Sequence, residues 1–237
     1  MPRLNNTRVT RRASTGLICA IALLALYIIL RPHSPPPAPP PLPGTYQYFV
    51  ETDFHSTTKR FGAVSHCDAR FAPKETPEIA EVRRSLIGLL RSYVDAMADL
   101  NVETWIAHGA LLGWYWNQKL LPWDTDLDVQ VSAESLAFLA SHHNMTEHRY
   151  SVSERGAPRT YLLDINPHYS IVSNQDVANK IDGRWIDMTN GKFIDITAVH
   201  PDESGTADGK PIFLFCKDGH RYEVRLLHEC GALLIFH

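Results

Sequence analysis

Three aspartates at alternate positions of an otherwise apolar segment are the residues of this sequence best suited to chemistry. They are Asp124, Asp126 and Asp128, in LLPWDTDLDVQVS at residues 120–132. In an extended strand Leu127 and Val129 point away from Asp126 and Asp128, so a core anchors the strand while two carboxylates project together. A hard divalent cation, Mg²⁺ or Mn²⁺, relieves their repulsion and completes its shell with substrate phosphates. The segment predicts a metal site at Asp126 and Asp128, with Asp124 as an outer residue.

Two other interpretations of this segment compete with a phosphate-linked metal site. A calcium-binding EF-hand loop also begins with alternate carboxylates, but it needs glycine at position six and glutamate at position twelve. Val129 and Ser135 occupy those places, which excludes the loop. A solvated strand edge is the second alternative, and it is the commoner interpretation of an isolated Asp-x-Asp pair.

A complementary phosphate site is predicted upstream of the aspartates. Thr104–His108 has the pattern of a short buried strand, Gly109 that of a sharp turn, and residues 110–116 that of a short helix. The backbone N–H groups and the dipole at a helix N-terminus favour bound phosphate. A strand, glycine turn and helix followed by apolar-Asp-apolar-Asp is typical of nucleotidyltransferases, in which a third carboxylate from a later strand completes the site.

A β-hairpin is predicted in RWIDMTNGKFIDITAV, residues 184–199, around a two-residue type I′ turn at Asn190-Gly191. Residues that lie opposite each other on the two strands then have residue numbers that sum to 381. Asp187 shares one face with Ile194, and Asp195 shares the other with Arg184, so only one of the two aspartates can point into a given site.

The remaining patterns predict an α+β fold, with helices flanking a mixed sheet. Apolar residues recur at helical spacing from 76 to 100, Ser132 can cap a helix that runs to about Ser141, and Tyr161–Ile165 has the pattern of a strand. Trp114, Tyr115 and Trp116 could stack on a base or a sugar, although core packing is expected for at least two of them.

The N-terminus predicts a membrane anchor. Residues 1–12 carry four arginines and no acid, and residues 13–30 are uncharged and span about 27 Å as a helix. A cleaved signal peptide is the alternative, but no small-residue cleavage site follows. The prediction is a cytosolic tail (1–12), a transmembrane signal anchor (13–30), a proline-rich stalk (31–45) and a lumenal domain (46–237) in a single-pass type II protein of the Golgi or endoplasmic reticulum membrane.

Charge, cysteine content and one sequon bear on partners and compartment. Five of the 23 Lys and Arg residues lie in residues 1–31, so the rest of the chain carries 18 against 26 Asp and Glu, a net charge of about −8. That charge argues against a nucleic-acid partner. Cys67, Cys216 and Cys230 allow at most one disulfide in the lumenal part. Asn144-Met-Thr is a glycosylation sequon there.

Several long motifs, in order, resemble the LicD/fukutin family. They are HGALLGWYWNQKLLPWDTDLDVQV, YLLDINPHY and RWIDMTNGKFIDITAV, within residues 76–223. The closer resemblance is to the fungal branch linked to mannosylphosphate transfer onto cell-wall glycans. It implies a nucleotidyltransferase-like fold, a nucleotide-sugar donor, a mannose-containing glycan acceptor and transfer of a phosphosugar.

The resemblance also assigns roles to single positions. Gly109, Ala110 and Gly113 match the family's phosphate-binding glycine turn and short helix. Asp126 and Asp128 match the metal-binding pair, Asp195 the third acid, and Asp124 a supporting aspartate. Asp187 is then expected to be structural.

The sequence departs from the family pattern in two places. Ala110 replaces a Ser or Thr that is common in the family, and RLLHECGALLIFH, residues 225–237, replaces the expected continuation, which indicates a truncated terminus. These departures leave three hypotheses open: a metal-dependent phosphosugar transferase, which the site residues favour, a non-catalytic partner or regulator of such an enzyme, and an Asp-x-Asp glycosyltransferase.

Overall fold

The computed structural model describes residues 48–52, 66–75, 78–151, 157–173, 176–207 and 210–223. The predicted tail, anchor and stalk, Cys230 and the segment 225–237 lie outside these residues. Within the described part of the chain, no helix combines the length and the apolar character needed to cross a bilayer.

One mixed sheet of eight strands forms the centre of the fold. The strands are β1 (Thr104–Ile106), β2 (Asp128–Ser132), β3 (Thr146–Tyr150), β4 (Arg159–Ile165), β5 (Gly183–Asp187), β6 (Phe193–Ala207), β7 (Lys210–Phe215) and β8 (Arg221–Glu223). The main order is β1-β2-β6-β5-β4-β3, and β7 joins β6 to β8. The β2–β6 pair is parallel and the other pairs are antiparallel. The sheet is therefore mixed, as predicted, but mostly antiparallel.

Among the described residues, three α-helices accompany the sheet: α1 (Ile79–Asp99), α2 (His108–Asn117) and α3 (Ala133–His142). The apolar face of α1 packs on β5 and β6. This contact is specific as well as apolar, because Trp185 on β5 donates its indole N–H to Ser92 Oγ of α1 at 3.0 Å and stacks on Tyr161. The buried core that results includes Leu86, Leu89, Tyr93, Met97, Val129, Val131, Tyr161, Trp185, Ile194 and Ile196.

Most of the predicted elements are confirmed. The helix α1 and the strands β1, β2 and β4 lie where their patterns indicated. Ser132 caps α3, since its Oγ accepts a hydrogen bond from Ser135 N at 3.0 Å. The strand β3 was not predicted, because its sequence TEHRY contains no apolar run. In the structure its residues alternate between partly exposed and exposed.

The predicted position of the turn before α2 was wrong by two residues. The helix begins at His108, so Gly109 is its second residue, and Ala107 is the extended N-cap. The residue with positive φ is His108, at 47°, a conformation that histidine adopts more readily than bulky or β-branched residues do. At Gly109 a Cβ would lie 2.9 Å from Asp124 Oδ2, so the absence of a side chain lets that carboxylate approach the helix.

The hairpin has the predicted faces but a different register. Trp185 pairs with Ile194, and Arg184 pairs with Asp195, so paired numbers sum to 379. Asp187 O accepts hydrogen bonds from both Asn190 N and Gly191 N, which makes the loop longer than a two-residue turn. Because the register differs by two residues, the side-chain alternation is preserved.

Candidate functional site

Two of the predicted site aspartates lie side by side in the sheet. Asp128, the first residue of β2, is the register partner of Asp195 on the parallel strand β6. Asp195 N donates to Leu127 O at 3.0 Å, which fixes the two strand segments against each other. Leu127 and Val129 are each 1% exposed, so the core anchors β2 as predicted while Asp128 stays partly accessible. The fold thus brings together carboxylates from distant segments of the chain.

The loop before β2 carries the other two aspartates against the start of α2. Asp124 lies against Gly109, so a side chain at that position would require the Asp124 carboxylate to move. Burial, the charge of Asp126 and a hydrogen bond with Asp126 raise the pKa of Asp124 to about 6. Asp124 is therefore part of the packing between this loop and the glycine, which is consistent with a supporting role.

The start of α2 lies next to Asp128. Ala107 N donates to Asp128 O at 2.9 Å, so the helix N-terminus begins beside the carboxylates. Gly109 is in the first turn, and Ala110 is 3% exposed with its methyl group in the core. A Cβ at Gly113 would lie 2.6 Å from Lys119 O, so that glycine permits the following loop to pack on the helix. Binding of phosphate by Gly109, Ala110 and Gly113 stays a prediction.

Arg184 is the main positive charge beside the aspartates. Its Nε donates to Asp195 Oδ1 at 2.8 Å and its Nη2 donates to Glu51 Oε1, while the guanidinium lies 3.6 Å from the Phe193 ring centroid. The side chain is 2% exposed. Burial opposes ionisation of Glu51, but hydrogen bonds from His66 and Arg184 lower its pKa to about 2. The hairpin alternation placed Arg184 on this face, but no role was predicted for it.

Crowding of the carboxylates has a measurable electrostatic consequence. Burial and the neighbouring Asp195 raise the pKa of Asp128 to about 7, against the opposing charges of His108 and His66. Burial also raises the pKa of Asp195, which Arg184 opposes. The raised pKa values of Asp128 and Asp195 mean that their charged forms are poorly stabilised in the structure. A hard cation such as Mg²⁺ or Mn²⁺ would stabilise these charged carboxylates. Asp126, Asp128 and Asp195 are the residues that would hold it.

A second group of ligand-type residues includes the first residue of α2. His108, Asp218 and His220 each offer a donor atom within 4.8 Å of the others, and in the described part of the chain no further set of three meets that distance. The three aspartates therefore do not converge that closely, and a shared cation requires them to approach. His108 was expected to be a packed strand residue, and only its position directly before the glycine turn hinted at more.

Asp187 has the structural role expected of it. It is fully buried, accepts a hydrogen bond from Arg159 Nη1 at 2.7 Å, and accepts another from Thr189 N at 2.9 Å in the hairpin loop.

Cys67 and Cys216 are both buried free thiols.

The aromatic residues of α2 do not follow the prediction. Core packing was expected for at least two of the three, but Tyr115 and Trp116 are 80% and 78% exposed, and only Trp114 packs against the core. A ten-residue helix has one face toward the sheet, so consecutive aromatic residues cannot all be buried.

The mixed sheet pairs two carboxylates beside a helix N-terminus, and a comparison with known protein families covers this part of the chain. The nucleotidyltransferase domain described as LicD/FKTN/FKRP matches residues 101–215. This match confirms the resemblance of the motifs to the LicD family.

Two yeast proteins from Saccharomyces cerevisiae (strain ATCC 204508 / S288c) are similar to the chain. Mannosyltransferase regulator 4 is 29% identical over 136 residues, which cover 56% of this chain and 11% of that protein. Mannosyltransferase regulator 14 is 27% identical over 161 residues, which cover 65% of this chain and 16% of that protein. The chain therefore spans a small part of the length of these relatives.

Proposed function

We propose that this chain transfers a phosphosugar, mannose 1-phosphate, from a nucleotide sugar to a hydroxyl group of a mannose-containing glycan. One observation carries the proposal: Asp128 and Asp195 are register partners on parallel strands, beside the helix that begins at His108. The family match and the names of the yeast relatives support a role in mannosylphosphate transfer or in its regulation.

Each group at the site has a role in the proposed reaction. The N–H groups of the first turn of α2 donate to phosphate oxygens of the donor. Asp195, whose pKa burial raises, accepts the proton of the acceptor hydroxyl, and Arg184 holds its carboxylate in place. Asp126, Asp128 and Asp195 would hold a divalent cation, which would supply positive charge to neutralise the pyrophosphate.

The bond changes distinguish this reaction from glycosyl transfer. The acceptor oxygen forms a bond to the phosphorus that carries the sugar, the P–O bond to the other phosphate breaks, and nucleoside monophosphate leaves. A glycosyltransferase would instead break the bond between sugar and phosphate and release nucleoside diphosphate. The released nucleotide therefore identifies the reaction.

The deciding experiment incubates the purified chain with Mn²⁺, GDP-mannose and a mannose disaccharide, and identifies the nucleotide released. We expect GMP and a phosphodiester-linked product, with at least about a hundredfold loss of rate in Asp126→Asn and Asp128→Asn. Glu103→Gln, an exposed acid away from the site, is the matched control and should keep full activity. Unchanged turnover in the aspartate variants would refute the proposal.

A regulatory role is the second candidate, since both yeast relatives are named mannosyltransferase regulators and Ala110 provides no hydroxyl for phosphate. In that case the chain alone shows no turnover, yet it accelerates an active mannosylphosphate transferase in the same assay. GMP release by the isolated chain would exclude a purely regulatory role.

A further inference from the structure

We infer that His108, Asp218 and His220 form a binding site for a transition-metal ion of the zinc class, separate from the aspartate site. The proposed transfer reaction uses backbone N–H groups of the first turn of α2 but none of these three side chains, so side-chain variants test the zinc site apart from it. Three side chains from two distant segments, the start of α2 and the turn between β7 and β8, supply the geometry.

The carboxylate of Asp218 lies between two imidazoles. His108 Nε2 is 3.1 Å from Asp218 Oδ2, and His220 Nδ1 is 3.0 Å from Asp218 Oδ1. A tetrahedral zinc ion about 2.0–2.1 Å from its ligands separates them by about 3.3 Å. The two imidazole–carboxylate distances, one to each oxygen of Asp218, are close to this value, and one donor atom of each residue lies within 4.8 Å of the others.

Hydrogen bonds from neighbouring groups also fix the Asp218 carboxylate, as is usual for ligand carboxylates in metal sites. Asp218 Oδ1 accepts hydrogen bonds from His220 N at 2.9 Å and from Cys216 Sγ at 2.6 Å. Gly219, at φ +96°, closes the turn through a hydrogen bond from its N–H to Cys216 O. The turn thus places Asp218 and His220 on the same side before any ion binds.

The chemistry of the donors selects the metal. Two imidazole nitrogens and one carboxylate suit Zn²⁺ and similar first-row ions, whereas Mg²⁺ prefers an all-oxygen shell. Three protein ligands leave a tetrahedral position open, and His220 is 56% exposed, so an ion can enter from solvent. Such an ion would tie the first residue of α2 to the β7–β8 turn.

The test is a titration of Zn²⁺ into the metal-free full-length chain against a chromophoric chelator, with Co²⁺ absorption as a report on the ligands. We expect one tight site per chain. His220→Ala, or His220→Gln if the alanine variant does not fold, should weaken binding at least about tenfold. His108→Asn, which tolerates the positive φ, should do the same.

Two controls show whether the zinc ion binds at these three residues. Asp126→Asn with Asp128→Asn removes no ligand and should weaken zinc binding less than the His220 variant does, so loss of the proposed transferase activity does not decide the result. His142→Ala removes another exposed histidine and should change nothing. Absence of stoichiometric binding, or equal zinc affinity in the His108 and His220 variants, would overturn the inference.

Discussion

At the scale of single residues, the half-buried Asp128 lies in an environment that disfavours its charged form. Burial and the Asp195 carboxylate raise its pKa to about 7. Between its ordinary pKa and that value, the folded chain binds more protons than the unfolded chain, so this group lowers stability as the pH rises through that window. Such instability at a functional position is the usual cost of carboxylates assembled for a ligand.

The raised pKa of Asp128 can be tested through the stability of the metal-free chain in EDTA. Asp128→Asn should raise the free energy of unfolding at pH 8 by at least about 1 kcal/mol, since one unit of pKa corresponds to about 1.4 kcal/mol and solvent screening reduces the total. At pH 4 the variant should show no gain. Urea unfolding at both pH values checks this, with Glu103→Gln as the control. Equal differences at the two pH values would contradict an electrostatic origin.

Asp187 gives the opposite kind of prediction. Asp187→Asn removes the charge that pairs with Arg159 but keeps an oxygen for Thr189 N, and should lower the free energy of unfolding by about 1–3 kcal/mol. Asp187→Ala removes both contacts and should cost more. Activity per folded molecule should persist in Asp187→Asn, as judged from the rate corrected for the folded fraction. Loss of chemistry without loss of stability would instead place Asp187 in the site.

At the scale of elements, the packing of α2 on the loop that follows it decides where Asp124 and Asp126 lie. Gly113→Ala should lower stability by about 1–3 kcal/mol, because its methyl group would lie 2.6 Å from Lys119 O in the backbone. Helix propensity alone predicts a gain of about 1 kcal/mol for the same change. Thermal unfolding distinguishes the two, and a stabilised variant would show that the loop can move away at little cost.

At the scale of the whole molecule, the predicted compartment can be tested at Asn144. Its side chain is exposed, although Oδ1 accepts a hydrogen bond from Ile165 N at 2.8 Å. If the domain is lumenal, the chain expressed in yeast should carry a glycan there, seen as a mobility shift that endoglycosidase H removes. Thr146→Ala should abolish the shift and Thr146→Ser should keep it. An unshifted wild-type chain would count against a lumenal domain.

Local patterns predicted the elements well where burial is one-sided. Leu127 and Val129 indicated the inner face of β2, Ser132 indicated the start of α3, and the alternation around Asn190 separated Asp187 from Asp195. The exact turn was not predictable, since a four-residue loop preserves the same alternation as a two-residue one. The start of α2 was misplaced because the left-handed residue is a histidine where glycine is the usual choice.

The sequence alone determined which residues are proposed for chemistry, because alternate carboxylates on an apolar strand constrain the direction of the side chains and favour a cation between them. Only the tertiary structure decided which distant groups meet them. The parallel pairing of β2 with β6 sets Asp128 beside Asp195, and Arg184 and Glu51 then reach the same place. Contact between His108 and Asp218 likewise depends on where the β7–β8 turn lies, which local sequence does not encode.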